Sequence, residues 1–467
     1  MDANRRPILF VSLGESGHLN PLLVLAGELA RRGVPDLWFA TDESRRPAVE
    51  QHSSVSPIHF VRFGSPDDGV SSGTRSQGWY ETFASPARFT SHRGAIELVY
   101  DPVRQASTVR ALGEFIDENR PALMVIDKAT LFAIALAVSR GIPFVLSNPF
   151  LMSHALTAGV PLLTDSFLPW GFPVPHSGLP RRMTPLQQMR NQLFKLRALR
   201  MFLGATMRPT LLADAALCKE LAIEPAARRA ANSIKDAELV LNYTLPEIDF
   251  PIAVPPTMRM VGAMLPPLPE APDDTGVTDW LEAHPSVVYI GLGTVTRLSA
   301  ADVSSIVEVA RRLAGRHHVL WKLPKAAQEL LPPHQDLPAN LRIETWLPSQ
   351  HDVLAHPHVK VFLTHGGSNS FHEGLYFGTP MVVRPRWADC HDVAVRGQHL
   401  GVSLTVDDPF ATDPDDLVDK LTRVAGDDTF RHAAEHLATL QRAAGGRETA
   451  ADLVLGLPAM KTKDPAC

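Results

Sequence analysis

The sequence predicts an α/β protein built from two parallel-sheet domains, and three observations carry that prediction. The chain has 467 residues, too many for one comfortable hydrophobic core and suited to two domains of about 200 residues each. In both halves, short apolar β-branched runs alternate with glycine turns and helix-length apolar patterns, the order that parallel sheets require. Hydrophobic residues make up 45% and charged residues 20%, which is ordinary globular usage and argues against long disorder or a fibre.

In chain order, residues 8–13 read as a strand, Gly14 and Gly17 as a turn, and residues 22–29 as a helix that Gly33 ends. Residues 122–126 and 143–147 read as further strands, with a helix over 131–139 between them. From residue 150 to 207 the pattern changes. Pro161, Pro169, Pro173, Pro175, Pro180 and Pro185 interrupt it, while Phe150, Phe167, Trp170 and Phe172 load it with aromatic surface. A lid or ligand wall is expected there, with Trp79, Phe83 and Phe89 adding to a large, mostly apolar pocket. Within it, residues 190–200 form a basic amphipathic piece with Leu193, Phe194, Leu196 and Leu199. Packing on its own domain is the expectation, with a membrane surface or a partner as alternatives.

Residues 239–242 read as another strand, and the proline-rich stretch 246–272 as a linker. The second grammar runs through strands at 287–290, 319–322, 341–344 and 361–363, with a helix over 300–313. The stretch 413–456 has helical spacing and 461–467 should fray. The expected organisation is a first domain over 1–245, a linker over 246–272, a second domain over 273–440, and a terminal helix and tail over 441–467 packing back on the first domain.

Composition narrows the function. Lys and Arg total 45 against 50 Asp and Glu, a formal charge of -5, and without a long basic tract a nucleic-acid partner is excluded. Cys218, Cys390 and Cys467 are too dispersed for a disulfide framework or a self-contained metal site, which fits a reducing compartment. No stretch reaches the roughly 18 apolar residues of a membrane span, and the amino terminus runs into a Gly and His motif in place of a cleavable apolar segment. A cytoplasmic protein with no obligate membrane partner, a monomer or weak dimer, is expected.

Chemistry concentrates in two places. His18 lies in Gly14-Glu15-Ser16-Gly17-His18-Leu19-Asn20-Pro21, directly after a predicted strand, where an imidazole can take a hydroxyl proton near neutral pH. Asp127 ends another predicted strand at the same edge of the same sheet. A carboxylate on one imidazole nitrogen would fix the tautomer and leave the other nitrogen as base. On these residues alone His18 also reads as a turn residue, and Asp127 as a cap for the following helix.

The second half carries Trp346-Leu347-Pro348-Ser349-Gln350, then Thr364-His365-Gly366-Gly367-Ser368-Asn369-Ser370-Phe371-His372-Glu373-Gly374. A strand ending near Thr364, a glycine turn and a helix from about Ser370 would aim backbone donors and a helix dipole at a diphosphate. His365 would donate to a phosphoryl oxygen, Glu373 accept ribose hydroxyls and Trp346 stack on a base. Ser370 and Glu373 also have the spacing of a capping box. Downstream, Asp389 follows another strand and would bond sugar hydroxyls; Asp389, Cys390, His391 and Asp392 also read as metal ligands, though no spaced Cys or His group supports them.

These motifs, with Val287-Val288-Tyr289-Ile290-Gly291-Leu292-Gly293-Thr294 between them, resemble the uridine diphosphate glycosyltransferase superfamily, glycosyltransferase family 1, over nearly the whole chain. The resemblance implies the GT-B fold: two facing Rossmann-like domains with an interdomain cleft, the acceptor held mainly by the first and the nucleotide sugar by the second. It implies a catalytic dyad of His18 and Asp127, with Trp346 on the base, Gln350 near the ribose, Thr294, His365 and Ser370 at the diphosphate, Glu373 on the ribose hydroxyls and Asp389 on the transferred sugar. Inverting transfer that requires no metal and no bound cofactor is expected: a nucleotide sugar, UDP-glucose by family default, gives its sugar to a hydroxyl of a small apolar acceptor such as a macrolide, polyphenol or other secondary metabolite. Ser349 is an extra residue before Gln350, Ser368 stands where plant members carry tryptophan, Cys390 replaces a glutamine and Val393 an asparagine. A hydrolysing nucleotide-sugar epimerase and a non-catalytic protein derived from the fold are the competing readings, and an oxidoreductase is disfavoured because the early glycine turn lacks GxGxxG spacing.

Overall fold

The computed structural model describes residues 6–62, 75–157, 167–228, 232–268, 272–347 and 349–461. They form two compact units, one of residues 1–264 together with 444–467, the other of residues 265–443. Pro161, Pro348 and Cys467 lie outside the described residues.

The strands of the first unit are β1 (Ile8–Val11), β2 (Leu37–Thr41), β3 (Ile58–Arg62), β4 (Leu123–Asp127), β5 (Phe144–Asn148), β6 (Leu239–Asn242) and β7 (Met258–Met260). They pair in the order β3-β2-β1-β4-β5-β6-β7, every pair parallel. Alternation along β1 explains why this sheet is covered on both faces: Leu9 and Val11 enter one buried cluster, while Ile8 and Phe10 enter another. The helix Ser16–Arg31 supplies Leu19, Leu22 and Leu29 to the second cluster, and the late helix Gly446–Leu455 adds Ala450, Ala451 and Val454.

β7 corrects one expectation. It lies inside the proline-rich stretch read as a linker, and Met258 is buried in the core of the first unit. A three-residue edge strand beside Pro255 and Pro256 is where a sheet tolerates proline, so proline content alone gave no warning of it.

In the second unit β8 (Val287–Gly291), β9 (His318–Lys322), β10 (Leu341–Glu344), β11 (Val359–Thr364), β12 (Met381–Val383) and β13 (Ser403–Thr405) form a parallel sheet in the order β10-β9-β8-β11-β12-β13. The helix Ala300–Leu313 covers it through Val303, Ile306, Val307 and Ala310, and its Ser299 and Asp302 form a reciprocal capping box.

Each sheet therefore winds outward in both directions from its first strand. The reversal falls between β1 and β4 in one unit and between β8 and β11 in the other. Adjacent loops diverge there and leave a crevice at the carboxyl ends of the strands, where open α/β sheets bind ligands.

Candidate active site

In the first unit β1 and β4 are neighbours in register, Val11 opposite Ile126. Asp127 is therefore held at the end of β4 beside the chain leaving β1. His18 sits in the first turn of the helix Ser16–Arg31, and its Nδ1 lies 3.1 Å from Oδ1 and 3.0 Å from Oδ2 of Asp127. The carboxylate is wholly buried and the imidazole nearly so. A carboxylate only accepts, so this contact places the imidazole proton on Nδ1 and the lone pair on Nε2. Asp127 does not cap the next helix: its Oδ1 accepts from the Ala129 N–H at 3.3 Å, while Thr130 is the cap residue of Leu131–Ser139 and makes no side-chain cap bond.

Phe150 lies edge-on to His18, ring centroids 5.2 Å apart. Other aromatic residues expected to line a pocket are spent on packing. Trp79 stacks on Phe83 and donates its indole N–H to the Gly94 carbonyl, and Phe172 is buried against Phe250. Trp170 is exposed.

The second unit collects its predicted residues along the carboxyl edge of one sheet. Gly293 and Thr294 follow β8, Lys322 ends β9, Trp346 follows β10, His365 follows β11 and Asp389 follows β12. Thr294 is exposed and Asp389 partly exposed, in the first turn of Ala388–His399. Asp389 and its three successors thus wind around a helix turn. Cys390 and Val393 are fully buried, and burial pushes the Cys390 thiol well up, so both replacements face the core.

His365 is enclosed by its turns. A Cβ on Gly293 would stand 2.6 Å from its Cε1, and Gly293 has φ of +77°, so both space and backbone call for glycine. Burial pulls the imidazole down to about 4, which makes it neutral near pH 7. Its Nδ1 is buried and makes no hydrogen bond among the described residues, leaving a polar atom that an incoming phosphoryl oxygen could satisfy.

The helix after this turn starts at Ser368, with Gly367 as N-cap and no side-chain cap bond. This corrects the expected start at Ser370 and removes the capping-box reading, since Ser370 is the third residue of the helix. The backbone N–H groups of the first turn are those a helix cannot bond internally.

Glu373, one turn further on, accepts from Gln350 Nε2 at 2.5 Å and lies 3.5 Å from His351 Nε2. The Gln350 Oε1 accepts from the Tyr289 hydroxyl at 2.8 Å. Burial raises the Glu373 carboxyl, but His351, Gln350 and Lys322 together hold it below the usual range, so it is an anion at neutral pH. Ser349 is the N-cap of the helix Gln350–Ala355 and accepts from the Asp352 N–H; the extra residue starts the helix that presents Gln350. Trp346 is 62% exposed, and the Lys322 ammonium stands 4.0 Å from its ring centroid. Tyr289, Lys322 and His351 join the site without a motif to mark them. Their only signal was position: Lys322 at the end of β9, Tyr289 in the middle of β8 and His351 next to Gln350.

Comparisons with known proteins agree with this architecture. The chain is 26% identical to 4'-demethylrebeccamycin synthase of Lentzea aerocolonigenes, over 96% of this chain and 99% of that one. It is 25% identical to UDP-glucuronosyltransferase 2A3 of Cavia porcellus over 71% of this chain, and it spans 59% of that longer protein. The solved glycosyltransferase of kitacinnamycin superposes with a TM-score of 0.69 at 21% identity, covering 96% of this chain and 99% of that one. With two Rossmann-like parallel-sheet units of this topology, the protein is a glycosyltransferase of the GT-B fold. The family described as UDP-glucoronosyl and UDP-glucosyl transferase matches residues 79–444, and the chain belongs to it. No helix among the described residues is long and apolar enough to cross a membrane.

Proposed function

We propose that this glycosyltransferase moves a sugar, glucose by family default, from UDP to a hydroxyl of a small apolar natural product, with inversion and without a metal. The observation that carries the proposal is the buried His18–Asp127 pair at the switch point of the first sheet. His18 Nε2 takes the acceptor proton while the acceptor oxygen attacks the anomeric carbon. The bond from that carbon to the diphosphate oxygen breaks and its electron pair leaves with UDP. Asp127 holds the ring and stabilises the imidazolium.

Donor roles follow from the second unit. Trp346 stacks on the base, Glu373 accepts the ribose hydroxyls with Gln350 beside it, and Asp389 bonds the transferred sugar. Thr294, Ser370, the first-turn N–H groups and a neutral His365 donate to the diphosphate. Such fixed donors can stabilise a leaving diphosphate. The UDP donor is supported by the family match, and the natural-product acceptor by the likeness to the rebeccamycin-type relative. The dispersed cysteines favour the cytoplasm as its location.

The test is a mass-resolved screen of nucleotide sugars against a panel of hydroxylated aglycones, with and without a chelator. Transfer that survives chelation supports the proposal. An isomerised nucleotide sugar with no acceptor product would indicate the epimerase reading, and transfer restored only by a divalent metal would reject metal independence.

A further inference from the structure

The helix Pro185–Leu203 packs on its own unit through Asn191, Phe194, Ala198 and Met201. Its opposite side is also apolar. Leu186, Met189, Leu193, Leu196 and Leu203 are 52%, 60%, 43%, 56% and 67% exposed. At about 100° per residue these five positions fall within a sector about 100° wide, running about 26 Å along the axis. Arg190 and Arg197 border that sector by the same rotation, and Arg200 falls inside it.

Charge around this face is one-sided. Residues 166–213 contain seven Lys and Arg and no Asp or Glu, in a chain whose formal charge is -5. Arg190, Lys195, Arg197 and Arg200 of the helix form no ion pair with a carboxylate among the described residues. Trp170 is 62% exposed, with the Lys195 ammonium 4.4 Å from its ring centroid.

We propose that the outward face of the helix Pro185–Leu203 docks reversibly on an anionic lipid surface. Leucine side chains in one narrow sector enter the boundary between headgroups and acyl chains, while flanking guanidinium groups reach the phosphates. Charge complementarity selects this occupant over a second copy of the chain. Pairing two copies through this face would oppose arginine to arginine with no acidic residue to answer them.

The inner side gives the contact a use. Phe194 meets Phe89 and His92 at 5.4 and 5.1 Å between centroids. From His92 a run of ring contacts passes through His176, His154 and Phe150 to His18. The lipid contact would thus hold the unit with these packed rings, and His18 at their far end, next to a surface in which an apolar acceptor dissolves. That consequence rests on the proposed role of His18, whereas the lipid contact does not.

The experiment is sedimentation of the full-length protein with vesicles of phosphatidylcholine alone and of phosphatidylcholine mixed with phosphatidylglycerol. Binding to the mixed vesicles should exceed binding to the neutral ones by at least about tenfold and weaken as salt is raised. Leu193→Asp with Leu196→Asp, and separately Arg190→Glu with Arg197→Glu, should each reduce it by at least about tenfold. All four side chains are exposed, so thermal unfolding should match wild type. Failure to bind the mixed vesicles overturns the proposal, as does equal binding to both vesicle types that neither variant changes. A concentration-dependent dimer that the leucine variant abolishes, without vesicle binding, also overturns it and assigns the face to a second copy. Because the readout is partition and not transfer, failure here is distinguishable from failure of the catalytic reading.

Discussion

Glu373 lies on the helix Ser368–Tyr376, where its spacing from Ser370 also allowed a capping box. The half-buried anion is held by Gln350 and His351, so its removal should be felt at the nucleotide. Glu373→Ala should weaken UDP binding by about 1.5–3 kcal/mol, the range for hydrogen bonds to a charged group, and unchanged affinity by calorimetry in a folded variant would exclude the ribose role. His365 carries a pH signature. Its ordinary value of 6.5 falls to about 4 in the fold, so between those values the unfolded chain binds a proton that the native chain refuses. Stability is then complete above about 6.5 and falls as pH drops toward 4, by up to about 3 kcal/mol. Urea unfolding of wild type and His365→Asn should show the wild type losing more stability on acidification. Parallel losses would contradict the assignment. At this scale the motif residues were legible because short glycine turns fix where His18 and His365 emerge. Lys322 over Trp346 was not, since that contact joins the ends of two strands and no local pattern encodes it.

Elements were legible where the pattern is local. The helices Leu131–Ser139 and Ala300–Leu313 and the strands β6 and β10 have the limits expected from apolar periodicity. β2, β3, β7 and β13 went unread, being short strands whose identity depends on partners elsewhere in the sheet. The helix after Gly367 starts two residues earlier than its polar side chains suggested, because a glycine N-cap leaves no side-chain signal. Ser349 shows the reverse case, an apparent interruption of a motif that caps the next helix. Ser349→Ala should lower stability by about 1 kcal/mol and weaken UDP binding through looser placement of Gln350 and His351. A thermal midpoint and an affinity both equal to wild type would contradict that role.

Over the whole molecule the same winding occurs twice, and each unit gathers its candidate site residues along the carboxyl edge of its own sheet. The amino-terminal unit also includes the last residues of the chain, with Ala450, Ala451 and Val454 in the cluster that contains Leu19 and Leu22. The proposed base and the proposed donor contacts thus belong to different units, so base catalysis and donor recognition should be separable. The most direct test is a double-mutant cycle on His18 and Asp127 that measures single-turnover transfer beside UDP-sugar affinity, using an acceptor found in the screen. His18→Ala should slow transfer roughly 100 to 10,000-fold with donor affinity close to wild type, and Asp127→Ala should cost less. The double variant should be no slower than His18→Ala, because the carboxylate cannot assist an absent imidazole. Full activity in a well-folded His18→Ala enzyme would contradict the account, and single effects that simply multiply would show that the two residues do not work as a pair.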